Sequence, residues 1–138
     1  MDKISPDRRS ENMRQIRSKG MRPEIAVRQL TYSLGYRYRL HSKDLPGKPD
    51  LVFRSRRKVI FVHGCFWHQH NDPECKIVRK PKSNNGYWNT KLETNSIRDA
   101  KHLTTLLNDN WKVLVIWECQ IDDKDNLSQV IQQFLDAP

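Results

Sequence analysis

No run of apolar residues in this chain is long enough to span a bilayer, and no charged-then-apolar segment opens it. Neither a membrane span nor a secretory leader is therefore expected, and the expected setting is the cytoplasm or nucleoid. Cysteine is scarce and odd in number, three in 138 residues. An odd count in a chain without a leader argues against a disulfide framework and leaves metal ligation or simple burial. Internal repeats are absent, and the length fits one domain around one core. Acidic residues are too few to balance the basic ones, so the formal charge is +9.

That deficit is local. Residues 1–58 carry 16 Lys+Arg against 6 Asp+Glu, whereas residues 59–138 carry 9 against 10. A solvated face is the usual meaning of a charge run, but it does not explain so large an asymmetry. A basic half joined to a neutral half points to a face built for a polyanion. Nucleic acid is favoured over membrane because no basic amphipathic helix of membrane type is visible.

The chain divides into a basic arm, residues 1–22, and one domain, residues 23–138. Pro23-Glu24 opens a helix, with Ile25, Ala26, Leu30 and Leu34 as its apolar side and Gly35 as its stop. Tyr36 to Leu40 alternates as a half-buried strand. Leu51-Val52-Phe53, the basic turn Arg54–Arg57, and Lys58–Val62 read as a hairpin whose second strand is central. Residues 71–90 read as loop. Ile97, Ala100, Leu103, Leu106 and Leu107 mark a helix capped by Asn95 or Ser96. Val113–Trp117 is a second buried strand, and a closing helix is capped by Asp125 or Asn126. The predicted order is α-β-β-β-α-β-α, an α/β fold with a mixed β-sheet flanked by helices.

Chemistry concentrates directly after the apolar strand. Three of the five histidines and two of the three cysteines fall within residues 63–75. Cys65, His70 and Cys75 are spaced five apart, and Cys119 ends a later strand. Three Cys and one His make a structural zinc composition, closed to substrate and able to staple a loop to a sheet. The competing reading takes Cys65 and Cys119 as small buried hydrophobes.

The hairpin brings Asp50 near the end that carries His63. An aspartate on one strand, with a backbone carbonyl at the end of the next, can hold a hard cation such as Mg²⁺. This is the layout of the restriction-endonuclease-like core, Pro-Asp followed by Glu-x-Lys. The second half is missing here, and Phe61-Val62-His63 stands in its place. Taken alone, Pro49-Asp50 would be read as a turn-capping aspartate.

Leu45-Pro46-Gly47-Lys48-Pro49-Asp50, followed by Phe61-Val62-His63-Gly64-Cys65-Phe66-Trp67-His68, resembles the very-short-patch repair (Vsr) endonucleases. Asn12-Met13-Arg14, Pro23-Glu24, Tyr87-Trp88 and Trp117-Glu118-Cys119 match in order and spacing, so the likeness spans about residues 5–120. The resemblance implies a Mg²⁺-dependent, strand-specific nick 5′ of the T in a T:G mismatch left by 5-methylcytosine deamination. It implies Asp50 as the principal ligand of one or two Mg²⁺, helped by the Val62 carbonyl, where the family usually has threonine. His68 would be the general base and His63 would position water or phosphate. Glu24 and Asn95 would orient water, and Asp99 would fix the tautomer of His68. The family's zinc ligands map to Cys65, His70, Cys75 and Cys119. Phe66 and Trp67 would wedge beside the mismatch with Met13 entering from the other side, and Arg14 would contact DNA. The insert Asn71-Asp72-Pro73-Glu74 before Cys75 departs from the family pattern.

The implied partner is double-stranded DNA bearing a T:G mismatch. Mismatch-repair proteins and a cytosine-5 methyltransferase acting at the same site are further implied partners. No membrane partner is expected, and a monomer is. Two other readings remain: a related restriction-type endonuclease without a mismatch requirement, and a zinc-stapled DNA-binding module. Asp50 together with His68 argues against the last, since a binding module needs neither.

Overall fold

The computed structural model describes residues 22–65, 68, 70, 75 and 85–138, with the backbone alone described at residues 22, 85 and 88. Met13, Arg14, Phe66, Trp67 and the insert 71–74 lie outside the described residues. The same is true of the basic arm, except that Arg22 already belongs to the first helix.

The elements are α1 (Arg22–Ser33), β1 (Arg39–Leu40), β2 (Leu51–Phe53), β3 (Lys58–His63), α2 (Asn85–Asn108), β4 (Lys112–Trp117) and α3 (Lys124–Asp136). A 3₁₀ turn, Arg54–Arg56, joins β2 to β3, and another, Glu118–Gln120, follows β4. The order matches the sequence-based expectation. The sheet runs β1-β2-β3-β4. The first two pairings are antiparallel and the β3–β4 pairing is parallel. The sheet is therefore mixed, and α2 is the crossover that two parallel neighbours require.

Strand alternation sorts the core into two layers. Leu51, Phe53, Ile60 and Ile116 face α1 and α3, where Val27, Leu127, Ile131 and Leu135 close the main core. Val52 and Val59 face the other way and pack with Leu106 of α2 and with Trp111. Apolar residues without alternating polar ones make β3 a strand covered on both faces and paired on both edges, the central position expected of it. His63, Phe61 and Val59 share the α2 side by the same alternation.

Five details differ from expectation, the last of them in β1. First, α2 begins at Asn85, so residues 85–90 are helix rather than loop, and neither Asn95 nor Ser96 is a cap. Asn84-Asn85-Gly86 has turn composition, yet Leu92 is buried two turns ahead of Asp99 and Leu106, and that heptad spacing carries the helix back. Second, the expected apolar face of this helix is largely outside: Ile97 is 64% and Leu107 52% exposed, while Leu106 is buried. Third, in α1 Ile25 is exposed and Val27 takes the core position. Fourth, α3 is capped by Asp123, whose side chain accepts from the Asn126 amide. The β1 ladder is shorter than the stretch Tyr36–Leu40, because β2 offers only three residues to pair with. Gly35 stops α1 in the left-handed region (φ 101°), as its lack of Cβ allows. Among the described residues no helix is long and apolar enough to cross a membrane.

One buried charge fastens the C-terminus. Lys58 is 3% exposed, and its Nζ donates to the carbonyls of Phe134 (2.6 Å), Leu135 (3.1 Å) and Ala137 (2.5 Å). These are the carbonyls that the end of α3 leaves unpaired, and a cation there also complements the helix dipole. Lys58→Met is expected to cost about 2–3 kcal/mol of stability, the scale of charged hydrogen bonds. Urea denaturation measures it, and an unchanged midpoint would mean that water satisfies the carbonyls equally well.

Candidate active site

The site is built where β2 begins and β3 ends. Asp50 directly precedes β2, and its Oδ2 accepts from the Val62 amide at 2.6 Å. That bond pins the carboxylate across the hairpin and leaves Oδ1 turned toward Glu24 and His41. Glu24, in the first turn of α1, is buried and held by Arg28 (2.6 Å). His41 Nε2 lies 2.7 Å from Glu24 Oε2 and 3.5 Å from Asp50 Oδ1. The donor atoms of Glu24, His41 and Asp50 all lie within 4.8 Å of one another, close enough to share a cation. Two carboxylates and an imidazole suit a divalent ion, and only one of the carboxylates is paired with Arg28.

A second group adjoins it. His63, the last residue of β3, stacks on His68 with ring centroids 3.8 Å apart and planes 4° from parallel. His68 Nδ1 is hydrogen-bonded to Asp99 of α2. Burial alone would raise the Asp99 carboxyl, but the His68 hydrogen bond and the neighbouring rings hold it below its usual value. An ionised Asp99 keeps the proton of His68 on Nδ1, so Nε2 is left as an acceptor. His63 differs. Burial, and then the charge of His68, push its pKa down to about 4. It is therefore neutral over the whole physiological range, and a much weaker base than an ordinary imidazole. A cleft of about 770 Å³ opens over both groups, with Lys43, Lys48 and Arg98 on its lining beside Asp50, His63 and His68. Its shape depends on Gly47, where an added Cβ would meet Phe61 at 3.1 Å and His102 at 3.0 Å.

The third group lies behind the histidine stack. Cys65, His70, Cys75 and Cys119 place one donor atom each within 4.8 Å of one another. His70 Nδ1 is 3.6 Å from Cys65 Sγ and 3.4 Å from Cys119 Sγ. A tetrahedral zinc with bonds of about 2.0–2.3 Å separates its donors by roughly 3.5 Å, so the spacing fits. The three cysteines are free thiols rather than disulfides. Burial pushes the Cys65 thiol up to about 12, which makes proton release part of any metal capture. Glu118 accepts from the Cys65 amide and fastens the turn to the end of β4. Trp117 joins the centres. Its ring stacks on His70 at 4.0 Å and meets His63 edge-on at 5.1 Å.

The structure thus brings Asp50, Glu24, Val62, His63, His68 and Asp99 together, and gathers the four thiol and imidazole donors beside them. Asn95 lies one turn before Asp99 on α2, where its Oδ1 accepts from Arg98. His41 and Arg28 join the site without any chemical motif in the sequence to mark them, and Trp117, which the family resemblance includes without a role, joins as a packing partner of the imidazoles. For His41 a signal does exist in the strand pairing. Leu40 opposite Leu51 sets His41 opposite Asp50.

Comparison with known proteins places the chain in a family. The family model for DNA mismatch endonuclease Vsr matches residues 1–75. The type II nicking enzyme V.XorIIP of Xanthomonas oryzae pv. oryzae is 50% identical over 135 residues, covering 98% of this chain and 97% of that one. The type II nicking enzyme V.NmeAIP of Neisseria meningitidis is 37% identical over 140 residues, covering 99% and 98%. The DNA mismatch endonuclease Vsr of Escherichia coli K12 is 35% identical over 120 residues, covering 87% and 75%. On the family model and these relatives together, the chain belongs to the DNA mismatch endonuclease Vsr family and is an endodeoxyribonuclease.

Proposed function

We propose that this enzyme is a Mg²⁺-dependent, strand-specific mismatch endonuclease that nicks 5′ of the T in T:G pairs arising from 5-methylcytosine deamination. The observation that carries the reading is the convergence, at the end of β3, of a carboxylate pocket and an Asp99-supported imidazole. Hydrolysis of a phosphodiester needs a base able to act near neutral pH and a means of neutralising charge on phosphate. His68 supplies the first. Asp99 orients it, and Nε2 takes the proton of the attacking water. His63 is a poor candidate for the base because burial pushes its pKa down to about 4, which leaves it little affinity for a proton near neutral pH. It instead packs His68 from one face. Asp50 Oδ1, Glu24 and the Val62 carbonyl would hold Mg²⁺, which when bound supplies charge neutralisation at the scissile phosphate. Lys43, Lys48 and Arg98 attract the backbone on either side. Asn95 helps to orient water at the edge of the pocket.

The same reading assigns a structural zinc to Cys65, His70, Cys75 and Cys119, a restriction-endonuclease-like core to residues 23–138, and a DNA-contacting arm to residues 1–22. Phe66 and Trp67 fall between Cys65 and His68, so both neighbours that bound them in sequence are fixed points of the site. We assign them, with Met13 and Arg14, to lesion recognition by wedging and contact. Unstacking costs about a few kcal/mol per step, and less at a pair already mismatched.

The test is nicking of matched duplexes that differ only in a T:G or a paired base step. Cleavage confined to the T-containing strand of the T:G duplex supports the reading. Equal cutting of the paired duplex would favour a restriction-type enzyme. His68→Ala is expected to lower turnover ~10²–10⁴-fold, the usual contribution of a general base, and His63→Ala considerably less. Single-turnover rates on one substrate decide it, and equal small losses would place the base elsewhere.

A further inference from the structure

We infer that His41 is a nitrogen ligand of the divalent cation held at Asp50, so that this site, while serving Mg²⁺, binds a transition cation, probed by Mn²⁺, more tightly. The inference rests on the proposed cation site and adds a ligand to it. His41 is in none of the motifs quoted for the family resemblance, and its place in the fold is what recommends it.

The residue leaves β1 in the left-handed region, at φ 47°. Histidine tolerates that region better than most side chains, but it remains uncommon and accumulates at functional positions. Its backbone amide is meanwhile bonded to the carbonyl of Asp50 at 3.4 Å. The turn and the ladder together hold the imidazole beside the Asp50 carboxylate. Nε2 enters the triangle that Glu24 Oε2 and Asp50 Oδ1 complete, 2.7 Å from one and 3.5 Å from the other. An octahedral ion with bonds of about 2.1 Å sets neighbouring donors about 3 Å apart. The two spacings made by Nε2 bracket that value, and the Glu24 and Asp50 donors lie within 4.8 Å of each other, so the three atoms can converge on one ion. The donors are also shielded, with side-chain exposures of 6% for Glu24, 13% for Asp50 and 23% for His41.

The ligand type decides the metal. Mg²⁺ demands oxygen donors and keeps much of its water, so an imidazole adds little to its affinity. Transition cations gain from imidazole nitrogen. A site with two carboxylates and one imidazole therefore holds Mn²⁺ more tightly than the carboxylates without the imidazole would, and His41 supplies that margin.

Mn²⁺ titration of the full-length protein, followed by the electron paramagnetic resonance signal of the free ion, measures this directly. Pulsed spectra of the bound ion reveal a coordinated ¹⁴N. The unmodified protein is expected to bind Mn²⁺ with ¹⁴N coupling. His41→Gln and His41→Asn are expected to lose that coupling and to weaken Mn²⁺ at least tenfold, the scale of disturbed metal shells. Their Mg²⁺ affinity, from competition against Mn²⁺, should hardly move. Absence of ¹⁴N coupling in the unmodified protein would overturn the inference whether or not the variants fold. Coupling that persists in the variants would overturn it too. An equal loss for both metals would also overturn it, since His41 would then only steady Glu24. Asp50→Asn separates the two levels. Undiminished Mn²⁺ binding by that variant would remove the cation site itself, independently of His41.

Discussion

Asp50→Asn is expected to abolish nicking, by at least ~10³-fold, while the protein stays folded and still binds duplex DNA. The substitution is chosen for what it keeps. An amide oxygen still accepts from the Val62 amide, the 2.6 Å bond that ties the start of β2 to the end of β3. Hairpin geometry is therefore preserved, and the loss is confined to one negative charge facing Glu24 and His41. A cation at a phosphoryl centre contributes several kcal/mol of charge stabilisation, and each 1.36 kcal/mol is tenfold in rate. DNA affinity should fall little, because it is set by the basic residues rather than by an acid. Single-turnover nicking and filter binding, run on the same preparation, give the two numbers. Turnover within a few-fold of the unmodified enzyme would take Asp50 out of the reaction.

Much of this site is legible in the amino-acid sequence. β3 is an unbroken apolar run, so its central position can be read directly. The hairpin around Arg54–Arg57 then makes Asp50 and the end of β3 neighbours, and the spacing of Cys65, His70 and Cys75 points to one cluster. His68 and Asp99 pair only through the family resemblance, since they stand 31 residues apart with nothing local to link them. What departs from expectation is decided by tertiary contact. The start of α2 departs from expectation because Asn84-Asn85-Gly86 has turn chemistry, and the burial of Leu92 shows the helix carried past it by tertiary packing. Ile97, Leu103 and Leu107 match a helical apolar face, yet the face that α2 buries is the one carrying Leu92, Asp99 and Leu106. An apolar pattern says that a helix is amphipathic and cannot say which stripe a neighbouring sheet will cover. His41 escapes a reading of the sequence for a related reason. Its significance comes from a two-residue ladder that places it beside Asp50, and so short a strand leaves almost no periodic signal.

The thiol cluster carries the other large effect. Cys119→Ser is expected to release zinc, to lower stability by roughly 3 kcal/mol, and to reduce nicking as a consequence. Structural zinc is worth about 10–16 kcal/mol of folding free energy in small sites, and one of four ligands accounts for about a quarter of that. Cys119 matters more than its share suggests because, of the four donors assigned to zinc, it alone comes from outside the loop. Cys65, His70 and Cys75 lie within eleven residues, whereas Cys119 follows β4 and ties that loop to the sheet. Loss of the tie frees His70, and with it the stacking of His70 on Trp117 at 4.0 Å. Trp117 also meets His63 and His68, so the imidazoles lose a wall. The coupling should run one way: Cys119→Ser loses zinc and activity together, whereas Asp50→Asn loses activity and keeps zinc. Proton competition supplies a second check. With burial raising the metal-free Cys65 thiol to about 12, capture must displace protons, so zinc affinity should weaken as pH falls and strengthen as it rises. Elemental analysis and thermal melts of both variants read the outcome. Folded, active protein with no zinc, or a Cys119→Ser variant with unchanged melting and metal content, would show that these four residues pack rather than coordinate.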